Sequence, residues 1–232
     1  MPNVLEVKSL TKKYGKFVAL KDININIEGG KIIGLLGQNG SGKTTFLKCV
    51  AGLLSADDGE IIIDGEPIGA ETKKKVSFLP ERTYLDNSLT VDEAIKFFCE
   101  FYSDFDENKA REMLSILGVD SKAKLKTLSK GNKEKVQLIL VMSRKAKLFL
   151  LDEPLGGVDP ATREFILHTI LAAFKGGATI IVSTHLISDV EEILDEYILV
   201  EENRFTVYGD VKALHKEGKT LDGMFREAYR CF

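Results

Sequence analysis

The residues Gly37-Gln38-Asn39-Gly40-Ser41-Gly42-Lys43-Thr44 constrain the fold of this chain more than any other segment. They satisfy GxxxxGK[ST], and they stand between an apolar run at 32–36, read as a buried strand, and a helix expected over about 43–50. Glycines let the backbone curl until successive N–H groups face one centre, and the start of a helix adds partial positive charge there. Such a loop is a cradle for nucleotide phosphates. Gly37, Asn39, Gly40, Ser41, Gly42 and the adjoining Thr45 form its lining, Lys43 is placed to reach the β- and γ-phosphates of ATP, and Thr44 to ligate Mg²⁺.

The remaining pattern fits an α/β chain. Apolar residues alternate at Val4, Leu5 and Val7, at Phe17 and Ala19, and at Ile23, Ile25 and Ile27, which predicts antiparallel strands ahead of the buried one. Residues 61–63, beside the Asp64-Gly65 turn signal, predict a hairpin strand, and residues 76–79 a short strand stopped by Pro80. From Thr90, which forms a capping box with Glu93, the period becomes helical and stays so to about Arg144. Strands return at 148–151, 179–183 and 197–200, alternating with helices that begin near Pro160 and Ser188, as in a parallel sheet.

The strand at 148–151 ends in Asp152 and Glu153, and the carboxyl end of a parallel strand is where open α/β sheets place ligands. Asp152 is the candidate for holding Mg²⁺. Glu153 is the candidate for orienting, and taking a proton from, the water that attacks the γ-phosphate.

Leu128-Ser129-Lys130-Gly131-Asn132, shortly before that strand, resembles the LSGGQ signature of the ATP-binding subunits of ABC transporters, and the resemblance runs along essentially the whole chain in motif order. It implies a P-loop NTPase core with an N-terminal antiparallel β subdomain and a helical signature subdomain inserted, here residues 1–85 and 147–232 around 86–146. It also implies a dimer in which Ser129, Lys130, Gly131 and Asn132, with Asp159 of the D-loop-like Gly157-Val158-Asp159-Pro160, contact the ATP of the opposite subunit. Asp159 is equally a helix N-cap with Pro160 at the first position. Lys130 stands where the family has Gly, and is either an added phosphate contact or a surface lysine of a basic stretch. His185 matches the switch histidine at the γ-phosphate. Glu81 stands at the Q-loop, where most members have glutamine, and is a candidate Mg²⁺ ligand. Tyr14 is the candidate for stacking on adenine, with Phe17 as competitor.

The same resemblance implies a separate membrane-spanning permease, docked against the helical insert where Tyr84, Phe97, Phe98, Phe101, Tyr102 and Phe105 concentrate, although most of these are expected to be core. The Pro-Glu Q-loop and the LSKG segment look most like ABC-2 type export systems, and the short segment after Gly209 argues against importers with a C-terminal regulatory domain. Homodimer and heterodimer both remain open. The rival reading is a soluble ABC-type ATPase acting on the ribosome or a repair complex, but no heptad run separates the two nucleotide motifs.

A formal net charge of -3, from 32 basic and 35 acidic residues, argues against nucleic acid as a partner. Cys49, Cys99 and Cys231 form no CxxC pair, fitting a reducing compartment. No signal-peptide pattern and no apolar run approaching ~20 residues is found, so a cytoplasmic location on the inner face of the membrane is expected.

Overall fold

The computed structural model describes residues 2–228; Cys231 lies outside them. Two long strands, β1 (Asn3–Tyr14) and β2 (Phe17–Glu28), form an antiparallel pair, continued by β3 (Ile32–Leu36), α1 (Lys43–Val50), β4 (Asp58–Ile63), β5 (Glu66–Pro67), α2 (Ala70–Lys75) and β6 (Val76–Leu79). Three helices follow: α3 (Val91–Phe101), α4 (Glu107–Ile116) and α5 (Lys130–Met142). The chain then alternates β7 (Leu148–Asp152), α6 (Pro160–Lys175), β8 (Thr179–Thr184), α7 (Ile187–Val190) and β9 (Glu196–Glu201), before β10 (Arg204–Asp210), α8 (Val211–Lys216) and α9 (Leu221–Ala228).

Two sheets result. One runs β2-β1-β4-β5 and is antiparallel; the other runs β10-β9-β3-β8-β7-β6, parallel throughout except for β10. Strand β3 is buried at every position, and its alternating side chains feed two cores. Ile33 and Leu35 pack toward α1 and the antiparallel sheet, with Phe46, Leu47 and Val50, while Ile32 and Leu36 pack toward the helical side with Phe149, Leu151 and Ile180. Burial on both faces is why this strand reads as a continuous apolar run. Each such fully buried Leu or Ile contributes about 1.5–3 kcal/mol relative to exposure.

The helical stretch expected from Thr90 to about Arg144 is three helices rather than one pattern. Gly118, at φ 62°, follows α4, and a 3-10 turn, Leu125–Thr127, precedes α5. The capping box is present: the Thr90 hydroxyl accepts from the Glu93 N–H at 3.2 Å, and the Thr90 N–H donates to the Glu93 carboxylate at 2.7 Å. The helix expected near Ser188 is only the single turn α7. Strand β10 and helix α2 have no counterpart in the sequence pattern.

Of the six aromatic residues weighed for docking, Phe98 is core, Tyr102 and Phe105 pack partly against it, and Tyr84, Phe97 and Phe101 are exposed. The expectation that most of them are core is therefore not met, because α3 buries only the face that carries Val91, Ala94, Ile95 and Phe98 and leaves Phe97 and Phe101 on its outer side. Among the described residues no helix is long and apolar enough to cross a membrane.

Candidate functional site

The loop at 37–44 leaves β3 and enters α1, which lies between the two sheets. Gly42 has φ 105°, and a Cβ there would stand 2.6 Å from the Ala19 carbonyl oxygen, so both conformation and space require glycine. At Gly37 a Cβ would meet the Val200 carbonyl oxygen at 2.7 Å. The loop is therefore fitted against β2 and β9 with no room for side chains at these points.

Lys43 is 5% exposed, and its Nζ donates to the carbonyl oxygens of Gly37 at 2.7 Å and Gln38 at 3.1 Å. Burial pulls its pKa below the ordinary 10.5, opposed first by Glu153, whose Oε1 is 3.6 Å away, and then by Asp152 and Glu81. The ammonium thus sits among polar oxygens that phosphate oxygens could replace.

Asp152 ends β7 in direct register with Ser183 of β8. Its Oδ1 accepts from the Ser183 hydroxyl at 2.6 Å and the Thr44 hydroxyl at 3.0 Å, while Oδ2 is buried without a partner. Burial raises its pKa above 3.8; Ser183 and Thr44 pull it down, and Glu153 and Glu81 push it further up. Glu153 has φ 49°, a left-handed backbone that costs a non-glycine residue about 1 kcal/mol or more. Two bonds hold it there: its N–H donates to the Ser183 carbonyl and to the Ser183 hydroxyl, each at 3.1 Å. His185 Nδ1 lies 3.0 Å from Glu153 Oε2, while Glu153 Oε1 is buried and makes no hydrogen bond. Ser183 escaped the sequence reading, because a serine inside an apolar strand carries no signal until the strands are in register.

The donor set fits Mg²⁺. The orphaned Asp152 Oδ2 and the Thr44 hydroxyl are hard oxygen ligands side by side, and Mg²⁺ is ordinarily held by one or two carboxylates plus substrate phosphates. Among the described residues no group of three or more His, Cys, Asp or Glu side chains suited to a metal is found.

A groove of about 710 Å³ opens over these groups. It is lined by Asn39, Gly40, Gly42, Lys43, Thr44 and Thr45 on one side and by Glu81, Glu153 and His185 on the other, with Tyr14 and Phe17 as its aromatic wall. Both aromatics are about half exposed. Lys130 and Glu134, from the first turns of α5, also line it. Ser129 is the N-cap of α5, its hydroxyl accepting from the Asn132 N–H at 3.3 Å. Asp159 caps α6, accepting from the Thr162 N–H at 2.9 Å. Lys130 is 91% exposed with only Glu134 nearby, 3.7 Å away. A Cβ at Gly131 would meet nothing within 4 Å, so no contact within the chain calls for glycine there. A second groove of about 870 Å³ shares Thr44, Glu81 and Asp152 and extends to Tyr84, Phe98, Tyr102 and Arg144. Both volumes are in the range of ligand pockets.

A family model described as ABC transporter matches residues 20–156. The linearmycin resistance ATP-binding protein LnrL of Bacillus subtilis (strain 168) is 31% identical over 214 residues, covering 89% of this chain and 69% of that protein. The SkfA peptide export ATP-binding protein SkfE of the same strain is 32% identical over 208 residues, covering 87% of each. Among solved structures, an ATP binding subunit of an ABC transporter superposes with a TM-score of 0.88 at 27% identity, covering 97% of this chain and 98% of that one.

Proposed function

The chain belongs to the ABC transporter family as an ATP-binding ATPase subunit, and from that premise we propose that it dimerises on ATP and powers export by a separate membrane-spanning permease. The observation that carries the reading is the array of Lys43, Thr44, Asp152, Glu153 and His185, assembled from the carboxyl ends of β7 and β8 and the loop after β3. Residues 1–85 and 147–232 are read as the catalytic core and 86–146 as the signature subdomain.

In this mechanism Lys43 exchanges the Gly37 and Gln38 carbonyls for β- and γ-phosphate oxygens, and the loop N–H groups hold the rest of the triphosphate. Thr44 and Asp152, with Glu81, would hold Mg²⁺, which when bound neutralises the phosphate oxygens. Glu153 orients the attacking water and takes its proton, and the hydrogen bond from His185 fixes the carboxylate. The bond from water oxygen to γ-phosphorus forms as the bond to the β-phosphate bridging oxygen breaks, giving ADP and phosphate.

The signature residues Ser129, Lys130, Gly131 and Asn132, with Asp159, are assigned to the ATP of the second subunit. The unneeded glycine at 131 and the exposed lysine at 130 support this, since both leave the start of α5 open to an approaching phosphate. ATP bridging the halves favours the closed dimer, and hydrolysis removes the bridge. No contribution from nucleic acid enters. The name of SkfE, a peptide export ATP-binding protein, supports export as the direction, and docking on a permease would hold the subunit at the inner face of the membrane.

The test is Glu153→Gln, purified from membranes with ATP. The expected outcome is hydrolysis slowed by at least about 100-fold with an ATP-bound dimer recovered together with a hydrophobic membrane protein. A monomer alone would overturn the dimer, and undiminished hydrolysis would overturn the role of Glu153.

A further inference from the structure

Gln137 is 2% exposed in the middle of α5, in a stretch where Val136, Leu138, Ile139, Leu140, Val141 and Met142 are buried apolar residues. A Met or Leu would fill such a place without the cost of desolvating an amide, so packing alone does not account for glutamine. Its amide is engaged at both ends. Nε2 donates to the Pro80 carbonyl at 3.1 Å, and Oε1 accepts from the Tyr84 N–H at 3.0 Å.

These two bonds bracket Glu81, Arg82 and Thr83, the loop that leaves β6. Among the described residues, the backbone of 81–85 makes no hydrogen bond other than that of Tyr84 to Gln137. A small cavity of about 40 Å³ behind the loop is lined jointly by Gln137, Glu81, Asp152 and Glu153. Two residues past the end of α5, Arg144 donates to the carbonyls of Val76 at 2.6 Å and Lys74 at 2.5 Å, gripping the start of β6. The helix therefore holds both ends of the segment that delivers Glu81, and its own first turn carries the signature residues, roughly 10 Å from Gln137 at 1.5 Å per residue.

We infer that Gln137 is a positioning residue that locks Glu81 to the signature helix, so that engagement of the start of α5 by the second subunit's ATP sets where Glu81 stands in its own subunit's site. This rests on the dimer and on the role of Glu81 proposed above. Gln137→Met keeps length and burial while removing both hydrogen bonds. In the nucleotide-free protein, hydrogen exchange at the Tyr84 amide should quicken about ten-fold, with exchange in β3 and β7 unchanged. The KM for ATP should stay within about two-fold, because the loop at 37–44 is untouched, while kcat falls about ten-fold and the Mg²⁺ concentration for half-maximal rate rises. In a Glu81→Ala background, which leaves no side chain at 81 to position, the same substitution should cause no further fall in kcat.

A second variant, Gln137→Glu, keeps the acceptor for Tyr84 but sets a carboxylate against the Pro80 carbonyl. Burial raises the pKa of that carboxyl, and its protonated form donates again, so activity relative to wild type should recover as pH falls from about 8 to about 6. Unchanged Tyr84 exchange, unchanged kcat in Gln137→Met, or a loss that simply adds to that of Glu81→Ala would each overturn the positioning role alone. Unaltered Mg²⁺ dependence in Glu81→Gln would remove the role of Glu81 and this inference with it.

Discussion

Asp152 carries opposing demands. It is 1% exposed, one of its oxygens is unpaired, and burial raises its pKa above 3.8. The folded protein therefore binds this proton more tightly than the unfolded chain does, so the contribution of the group to stability is present in full below about pH 3.8 and is lost as pH rises through the folded value. The ionised carboxylate proposed to hold Mg²⁺ is thus kept at a cost to the nucleotide-free fold, as functional sites often are. Asp152→Asn should remove the charge, keep an oxygen for Thr44 and Ser183, and stabilise the Mg²⁺-free protein at pH 7 by about 1 kcal/mol, or roughly 2–4 °C in Tm, while ATP hydrolysis falls by at least about 100-fold. The gain over wild type should grow with pH from about 4 upward and vanish in acid. Melting curves across pH check this, and a variant less stable than wild type at pH 7 would refute it. Thr44, Asp152 and Glu153 were legible because each stands at a fixed offset from a glycine loop or a strand end. Ser183 was not, because its value lies in register with Asp152 across β7 and β8, a relation between residues 31 apart.

At the scale of elements, caps are where a structural and a functional role overlap. Ser129 caps α5 through the Asn132 N–H, and the same hydroxyl is proposed to face the second subunit's phosphate. The roles separate by charge. Ser129→Ala should cost about 1 kcal/mol through the lost cap, seen as a fall of roughly 2–4 °C in Tm. Ser129→Asp caps as well as serine does, so Tm should hold, yet its carboxylate would repel the triphosphate and abolish ATP-induced dimerisation by light scattering. Retained dimerisation in Ser129→Asp would leave Ser129 as a cap only. The capping box at Thr90 and Glu93 was readable because it is local in sequence, and β3 and β7 because burial on both faces makes a strand apolar throughout. Helix α2, AETKKK with Thr72 as its one buried residue, has no apolar face to read. Strand β10 is an edge strand, largely exposed and shifted in register between Phe205 and Val207, so its alternation is blurred. The single helical pattern from 90 to 144 hid the turns at Gly118 and Leu125–Thr127 because amphipathic periodicity reports burial and not the direction of the axis.

For the molecule as a whole, the decisive geometry is that the groups proposed for catalysis and Lys130, one of the four proposed signature residues, line one open groove from different elements. Glu81, Glu153 and His185 come from the parallel-sheet side, and Lys130 and Glu134 from the start of α5. An open groove with a half-exposed aromatic wall and a solvent-facing lysine leaves one side of a nucleotide uncovered, and a second copy turned head to tail would cover it. Each ATP would then be held by the loop of one copy and the signature of the other. That arrangement has a consequence no single-subunit site shares. Lys43→Ala disables the loop and leaves the signature intact, whereas Ser129→Asp does the reverse, so each should be inactive alone. Mixed in equal amounts, half of the dimers would be mixed, and each of these would own one site built from two sound halves, so the mixture should recover about a quarter of wild-type ATPase activity. Activity no greater than the sum of the separate variants would rule out a homodimer with shared sites, because sites complete within one chain, or shared only with a different subunit, cannot be repaired by mixing these two.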